Sequence, residues 1–219
     1  MTKKRNIVLV WRTGGKYKFR DVQLLVNNIT KWNPGCDVIC LTDIIENECK
    51  LMGVTFFPLK YKWEGWWAKL NLFNPDLEKY RPFLYLDLDT AVVGNLDDIY
   101  PLDEYQEKLF IALEDFYQPG QLASGVLWIP EKSEKISKVW GEAIKKKGVF
   151  KKHRLDYFLR QIIKPDLFFQ HYNDAISSFK PNHKQLTEIP EKVSVVCFHG
   201  KPTMNEVKGI EWVNKYIKY

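Results

Sequence analysis

Short apolar runs rich in β-branched residues alternate along this chain with segments whose apolar residues recur at helical spacing, and this alternation restricts the possible folds more than any other feature. Ile7 to Trp11 is the first run, stopped by Arg-Thr-Gly-Gly. Asp21 to Ile29 then sets Val22, Leu25, Val26 and Ile29 on one helical face before Asn33-Pro34-Gly35 breaks it. Val38 to Leu41, Val54 to Phe57 and Phe83 to Leu88 read as further strands, with a helix near Trp66 to Phe73 before the last of them. Three more strands are expected at Leu109 to Leu113, Gly125 to Ile129 and Val193 to Phe198. Helices are expected between Glu131 and Lys147 and around Leu155 to Ile163. Such alternation predicts an α/β fold with a central, mainly parallel β-sheet flanked by helices, Rossmann-like in layout.

With 219 residues, 45% of them hydrophobic, the chain is long enough to bury one sizeable core. No repeat, linker or low-complexity tract divides it, so residues 1–219 are expected to form a single domain. No stretch approaches the roughly 20 apolar residues of a membrane span. Met1 to Arg5 leads straight into the first strand without a signal peptide, which makes the cytoplasm the expected compartment. Cys36, Cys40, Cys49 and Cys197 have neither zinc-site spacing nor the density of a disulfide scaffold, and read as reduced thiols. A net charge of +6 favours an anionic partner, whether nucleic acid, membrane surface or phosphorylated small molecule.

Ligands of open α/β sheets collect beyond the carboxyl ends of the strands. Four polar segments sit there: Arg12 to Tyr17, Thr42-Asp43, Asp87 to Thr90, and His199 to Lys201. The third is the most informative, because Phe83-Leu-Tyr-Leu is followed abruptly by Asp87-Leu-Asp89. If the strand continues through them, both carboxylates leave the same face about 7 Å apart. Two acids so placed raise each other's cost of ionisation, and a divalent cation with a preference for oxygen ligands, Mg²⁺ or Mn²⁺, relieves it. The plainer alternative is that one acid caps the turn and the other is solvated. Asp97-Asp98 reads as a charge pair at a helix N-terminus.

Leu84 to Leu96, carrying Asp87-Leu-Asp89, resembles the D-x-D segment of GT-A glycosyltransferases, especially family 8 of the glycogenin and galactosyltransferase kind. Ser124-Gly-Val-Leu-Trp-Ile129 resembles that family's N-A-G strand, and Phe198-His-Gly-Lys-Pro202 a shortened form of its H-x-x-G-x-x-K-P-W ending that lacks the usual spacing and the final Trp. The resemblance implies a GT-A fold and a compact enzyme of viral, phage or bacterial type. It implies a hexose donor carried on a nucleoside diphosphate, with UDP the best guess, transferred with retention to a glycan or glycoprotein acceptor, with no nucleic acid partner and no membrane span. It further implies that Asp87, Asp89 and His199 hold Mn²⁺ or Mg²⁺. Lys201 would touch the diphosphate, and Leu88, Ser124, Gly125 and Gly200 would border the donor.

Several other residues acquire roles by the same resemblance. Trp11, Arg12, Thr13 and Tyr17 follow the first strand, where relatives hold the nucleoside, and Cys40-Leu-Thr-Asp43, with Thr42 and Asp43, is similar to the strand end bordering the base. Lys69, in Trp63-Glu-Gly-Trp-Trp-Ala-Lys69, corresponds to a basic residue facing the donor sugar phosphate; alternatively it is the solvated end of a core helix. Arg154-Leu-Asp-Tyr-Phe-Leu159 looks like a degenerate G-D-Q-D/E-x-L-N segment, which makes Asp156 either an acceptor-orienting residue or base, or a helix N-terminal acid. The segment from Asp115 to Ala123 is a candidate cover for the site, and Lys145 to Arg154 a basic cluster.

Three rivals stand beside this expectation. Asp87-Leu-Asp89 also resembles the nucleophile and acid pair of haloacid-dehalogenase-like phosphatases, but theirs normally opens the first strand. Sugar nucleotidyltransferases would need a Gly-rich first loop that is missing here. A non-catalytic carbohydrate or nucleic-acid binding module would use the basic surface and the eight tryptophans.

Overall fold

A computed structural model of the protein describes residues 5–44, 53–101, 103–146, 154–207 and 209–217. The chain runs β1 (Asn6–Trp11), α1 (Phe19–Trp32), β2 (Asp37–Thr42), β3 (Val54–Pro58), two 3-10 helices (Gly65–Phe73 and Pro75–Tyr80), β4 (Phe83–Leu86) and β5 (Thr90–Val92). It continues through the one-turn α2 (Asp103–Gln106), β6 (Ile111–Glu114), β7 (Leu122–Ile129), α3 (Glu134–Lys145) and α4 (Leu155–Ile162). The last elements are β8 (Leu167–Phe168), β9 (Ile176–Ser178), β10 (Val195–Cys197) and α5 (Glu211–Tyr216).

Seven strands form one sheet in the order β3-β2-β1-β4-β7-β6-β8. Only β7 runs antiparallel to its neighbours, so the expected mainly parallel sheet is present. Both faces are covered, which explains the unbroken apolar runs. On one face Ile7, Leu9 and Trp11 pack with Val22, Leu25, Val26 and Ile29 of α1. On the other, Val8 and Val10 pack with Leu70, Leu72 and Phe73 of the first 3-10 helix and with residues of α3 and α4. Each fully buried side chain of this size stabilises the fold by roughly 1.5–3 kcal/mol. Among the described residues, no helix is long and apolar enough to cross a membrane.

Three local expectations are corrected. The fourth strand stops at Leu86 instead of Leu88, because the Asp87 carbonyl accepts from the Thr90 backbone N–H at 3.0 Å and from Thr90 Oγ1 at 2.7 Å, closing a turn over the acidic pair. The segment expected as Val193 to Phe198 contributes Val195–Cys197 to a second, three-stranded sheet, between β5 and β9, and not to the main one. The chain emerging from the acidic turn as β5 offers the edge to which it pairs. Asp97 and Asp98 lie in a turn and not at a helix start; Asn95 Oδ1 accepts from the Asp97 N–H at 2.8 Å, and Asp97 pairs with Arg5. The helix expected between Glu131 and Lys147 is α3, which opens at Glu134 where Ser133 Oγ accepts from the Lys135 N–H at 3.3 Å; Lys147 lies outside the described residues. Cys36 and Cys197 are free thiols, Cys40 is buried in β2, and Cys49 lies outside the described residues.

Candidate functional site

β1 lies between β2 and β4, so successive connections from β1 leave in opposite directions across the sheet. Such a switch point opens a crevice beyond the carboxyl ends of the two strands. The ends in question are Trp11, followed by the Arg12–Tyr17 loop, and Leu86, followed by Asp87. Two backbone bonds bring distant segments to the same place. The Asp87 N–H donates to the Gly125 carbonyl at 2.9 Å, and the Phe198 N–H to the Asp89 carbonyl at 2.8 Å, which sets Ser124-Gly125 and His199 beside the acids.

Asp87 is held from three sides. Its Oδ1 accepts from Tyr85 Oη at 3.1 Å and from the Leu88 N–H at 3.0 Å, while its Oδ2 pairs with Lys69 Nζ. Burial alone would depress the Lys69 amine, but Asp87 and then Asp89 outweigh it and hold the ammonium form. Lys69 is therefore not a solvated helix end. Burial and the Asp87 charge push the Asp89 carboxyl up to about 7, against the pull of Lys69 and Lys16 and a hydrogen bond from the Tyr17 phenol. The turn thus carries more negative charge than its surroundings accommodate.

Two cavities meet at this turn, and Trp66, Lys69, Asp87, Asp89 and Gly200 line both. One, of about 420 Å³, is walled by Trp11, Arg12, Thr13, Tyr17 and Leu88. The other, of about 530 Å³, is walled by Ser124, Gly125, Asp156 and His199. Most residues singled out in the sequence are therefore gathered here.

Three are not in contact with either cavity. Thr42 is buried, with its Oγ1 accepting from the Ile44 N–H at 3.3 Å. Asp43 stands behind the first cavity's loop, accepting from the Thr13 N–H at 2.8 Å and from Thr13 Oγ1 at 2.7 Å. Burial pushes its carboxyl up, but the hydrogen bonds from Thr13 and its own backbone, with Arg12 nearby, hold it below the usual range. Lys201 is exposed, and its carbonyl accepts from Lys180 Nζ at 2.5 Å. Asp43 bears on the first cavity's lining through Thr13.

His199 lies under the Phe116 and Tyr117 rings, with centroids 5.0 and 5.8 Å away. Burial first, and Lys180 second, hold its imidazole below the ordinary value, so the neutral form prevails at pH 7. Its Nε2 is buried without a hydrogen-bond partner among the described residues. His199, Asp87 and Asp89 line one cavity, yet among the described residues no three His, Cys, Asp or Glu side chains close on a common point as a metal centre would need.

Asp156, at the start of α4, accepts from the Ser124 N–H at 2.9 Å through Oδ1. The segment expected as a cover is a tied wall: Asp115 N–H donates to the Gln121 carbonyl at 2.8 Å, and Arg160 reaches Leu122 O, Gln118 Oε1 and Asp115 Oδ2 at 2.7, 2.9 and 2.7 Å.

Sequence reasoning overlooked two lysines that fasten the His199–Lys201 loop. Lys16 Nζ donates to the Gly200 carbonyl at 3.0 Å, and Lys180 Nζ to the His199 carbonyl at 3.1 Å. Nothing in a lysine's local sequence marks a bond to backbone 184 or 19 positions away.

No protein-family model matches the chain, and no curated protein does. Solved structures match it over most of its length. The glycosyltransferase GlyE of Streptococcus pneumoniae TIGR4 superposes with a TM-score of 0.63 at 17% identity, covering 92% of this chain and 56% of GlyE. This chain thus spans little more than half the length of that protein. A galactosyltransferase, LgtC, solved in complex with donor and acceptor sugar analogs, superposes with a TM-score of 0.63 at 14% identity, covering 96% of this chain and 93% of LgtC. At such identities the likeness establishes the fold, and the fold is GT-A.

Proposed function

We propose that residues 1–219 form one catalytic domain, a metal-dependent glycosyltransferase that moves a hexose from a nucleoside diphosphate carrier to a glycan or glycoprotein acceptor. The meeting of two cavities at the Asp87–Asp89 turn carries this reading, since a transfer between two substrates needs two adjoining spaces with the charged groups at their junction. The structural likeness to GlyE and LgtC supports it.

The donor set suits a hard divalent cation, Mn²⁺ or Mg²⁺. Two carboxylates crowded at one turn and a neutral imidazole whose Nε2 has no partner among the described residues are the groups that such an ion satisfies. Asp87 and Asp89 would hold it, with His199 as the third ligand. When bound, the ion neutralises charge developing on the departing diphosphate.

Thr13, fixed by Asp43, and Arg12, fixed through Lys62 O at 3.2 Å, give the 420 Å³ cavity a rigid wall for the nucleoside. Lys69 keeps its proton beside the acids and supplies a second positive charge to the leaving group. Asp156 stands in the second cavity, where its carboxylate orients the acceptor hydroxyl and takes its proton. UDP as carrier and retention of configuration follow from the family resemblance.

The test is a panel of nucleotide sugars scored for Mn²⁺-dependent transfer and hydrolysis. Asp89→Asn should lower turnover by more than about 100-fold without unfolding the protein. Full activity in that variant contradicts the assignment. Release of phosphate from small phosphoesters would favour a phosphatase instead, and metal-independent ligand binding with no turnover a binding module.

A further inference from the structure

The first 3-10 helix begins at Gly65, whose φ of +56° suits glycine, and side chains three apart on such a helix eclipse one another. Trp66, Lys69 and Leu72 therefore share one ridge. Leu72 is buried in the core, Lys69 is 14% exposed beside Asp87, and Trp66 is 52% exposed at the junction of the two cavities. The neighbouring tryptophans are engaged in packing. Trp63 stacks on Tyr61 at 4.8 Å and 7°, and Trp67 meets Phe158 edge-on at 5.7 Å. An indole held open to a cavity, on a ridge anchored at its other end in the core, offers a rigid apolar face to a ligand.

The cavity on the Asp156 side defines that ligand further. Asp87, Asp89, Asp115 and Asp156 line it against Lys69 and Arg154. Asp156 uses Oδ1 for the Ser124 N–H, and Asp115 is turned to Arg160. A pyranose presents a C–H-rich face and a rim of hydroxyl donors, which match an aromatic plane and carboxylate acceptors respectively. Without a bound cation, four carboxylates face one lysine and one arginine there, and an acidic sugar would add a further negative charge to them.

We infer that the Trp66 indole is the platform on which the acceptor's pyranose ring lies, and that this ring is uncharged. The inference rests on the transferase reading for the word acceptor, and assigns Trp66 as a positioning residue. Its test is made on the full chain without donor or metal, by saturation-transfer NMR with the methyl β-pyranosides of glucose, galactose and mannose and with methyl β-glucuronide. In a separate titration UDP is added in the presence of Mn²⁺.

At least one neutral pyranoside should bind saturably, and more tightly than the glucuronide. Trp66→Ala should weaken it about tenfold, and Trp66→Phe should restore it to within a few-fold. Equal binding by the Ala variant, no rescue by the Phe variant, or preference for the glucuronide overturns the inference. UDP binding with no pyranoside binding sinks it while leaving the transferase reading intact. Pyranoside binding through Trp66 with no UDP binding does the reverse: the saccharide platform stands and the nucleotide-sugar reading falls.

Discussion

A lysine buried against Asp87 gives the acidic turn a resident positive charge, and that pair determines how the turn responds to substitution. The side chains of Lys69 and Asp87 are 14% and 17% exposed, so removing one partner leaves the other charge poorly solvated. Lys69→Met should destabilise the protein by about 3 kcal/mol in urea unfolding, whereas Asp87→Asn added to it should recover part of the loss. Strictly additive effects would mean that the pair is not coupled. Asp43 behaves in the opposite sense to a strained acid. Its folded carboxyl lies below the unfolded value of about 3.9, so the stability it contributes is complete above that pH and is lost as pH falls through the folded value. Asp43→Asn should therefore flatten the acid limb of a stability-versus-pH curve while weakening the Thr13 contacts at neutral pH.

Among the elements, β7 and α4 are joined by Arg160, whose guanidinium binds a backbone carbonyl, an amide and a carboxylate of the Asp115–Leu122 stretch. The fork of an arginine serves three acceptors at once, which a lysine does not reproduce. Arg160→Lys should cost ~2 kcal/mol in denaturant unfolding and speed amide exchange at Asp115 and Gln121, whose backbone bonds depend on that wall. Unchanged exchange would show that the Asp115–Leu122 stretch holds its bonds without Arg160. The winding of the Gly65–Phe73 segment was not legible in the sequence. Its apolar spacing predicted a helix, but an ordinary α-helix offsets residues three apart, and only the tighter winding puts Trp66 directly above Lys69.

Across the whole molecule, the residues nearest the acidic turn come from β1, the 3-10 helix, β4, β7, α4 and the segment after β10. Periodicity and punctuation in the sequence were enough to place β1 to β4, α1 and the acidic pair, because apolar spacing and turn chemistry act over a few neighbours, while Lys69, Ser124, Gly125 and Asp156 were named through the family resemblance. They did not show that the strand would stop at Leu86, because that depends on the Thr90 bonds to Asp87 O, nor that Val195–Cys197 would leave the main sheet for the edge offered by β5. Lys16 and Lys180 were equally hidden, since each meets its carbonyl partner only after the chain has returned from far away. The sequence by itself determined the α/β class and the acids at a strand end, since both are written in local pattern. Tertiary structure alone decided which segments face the turn and which charge compensates it, because pairing between distant strands and the burial of Lys69 exist only in the assembled fold.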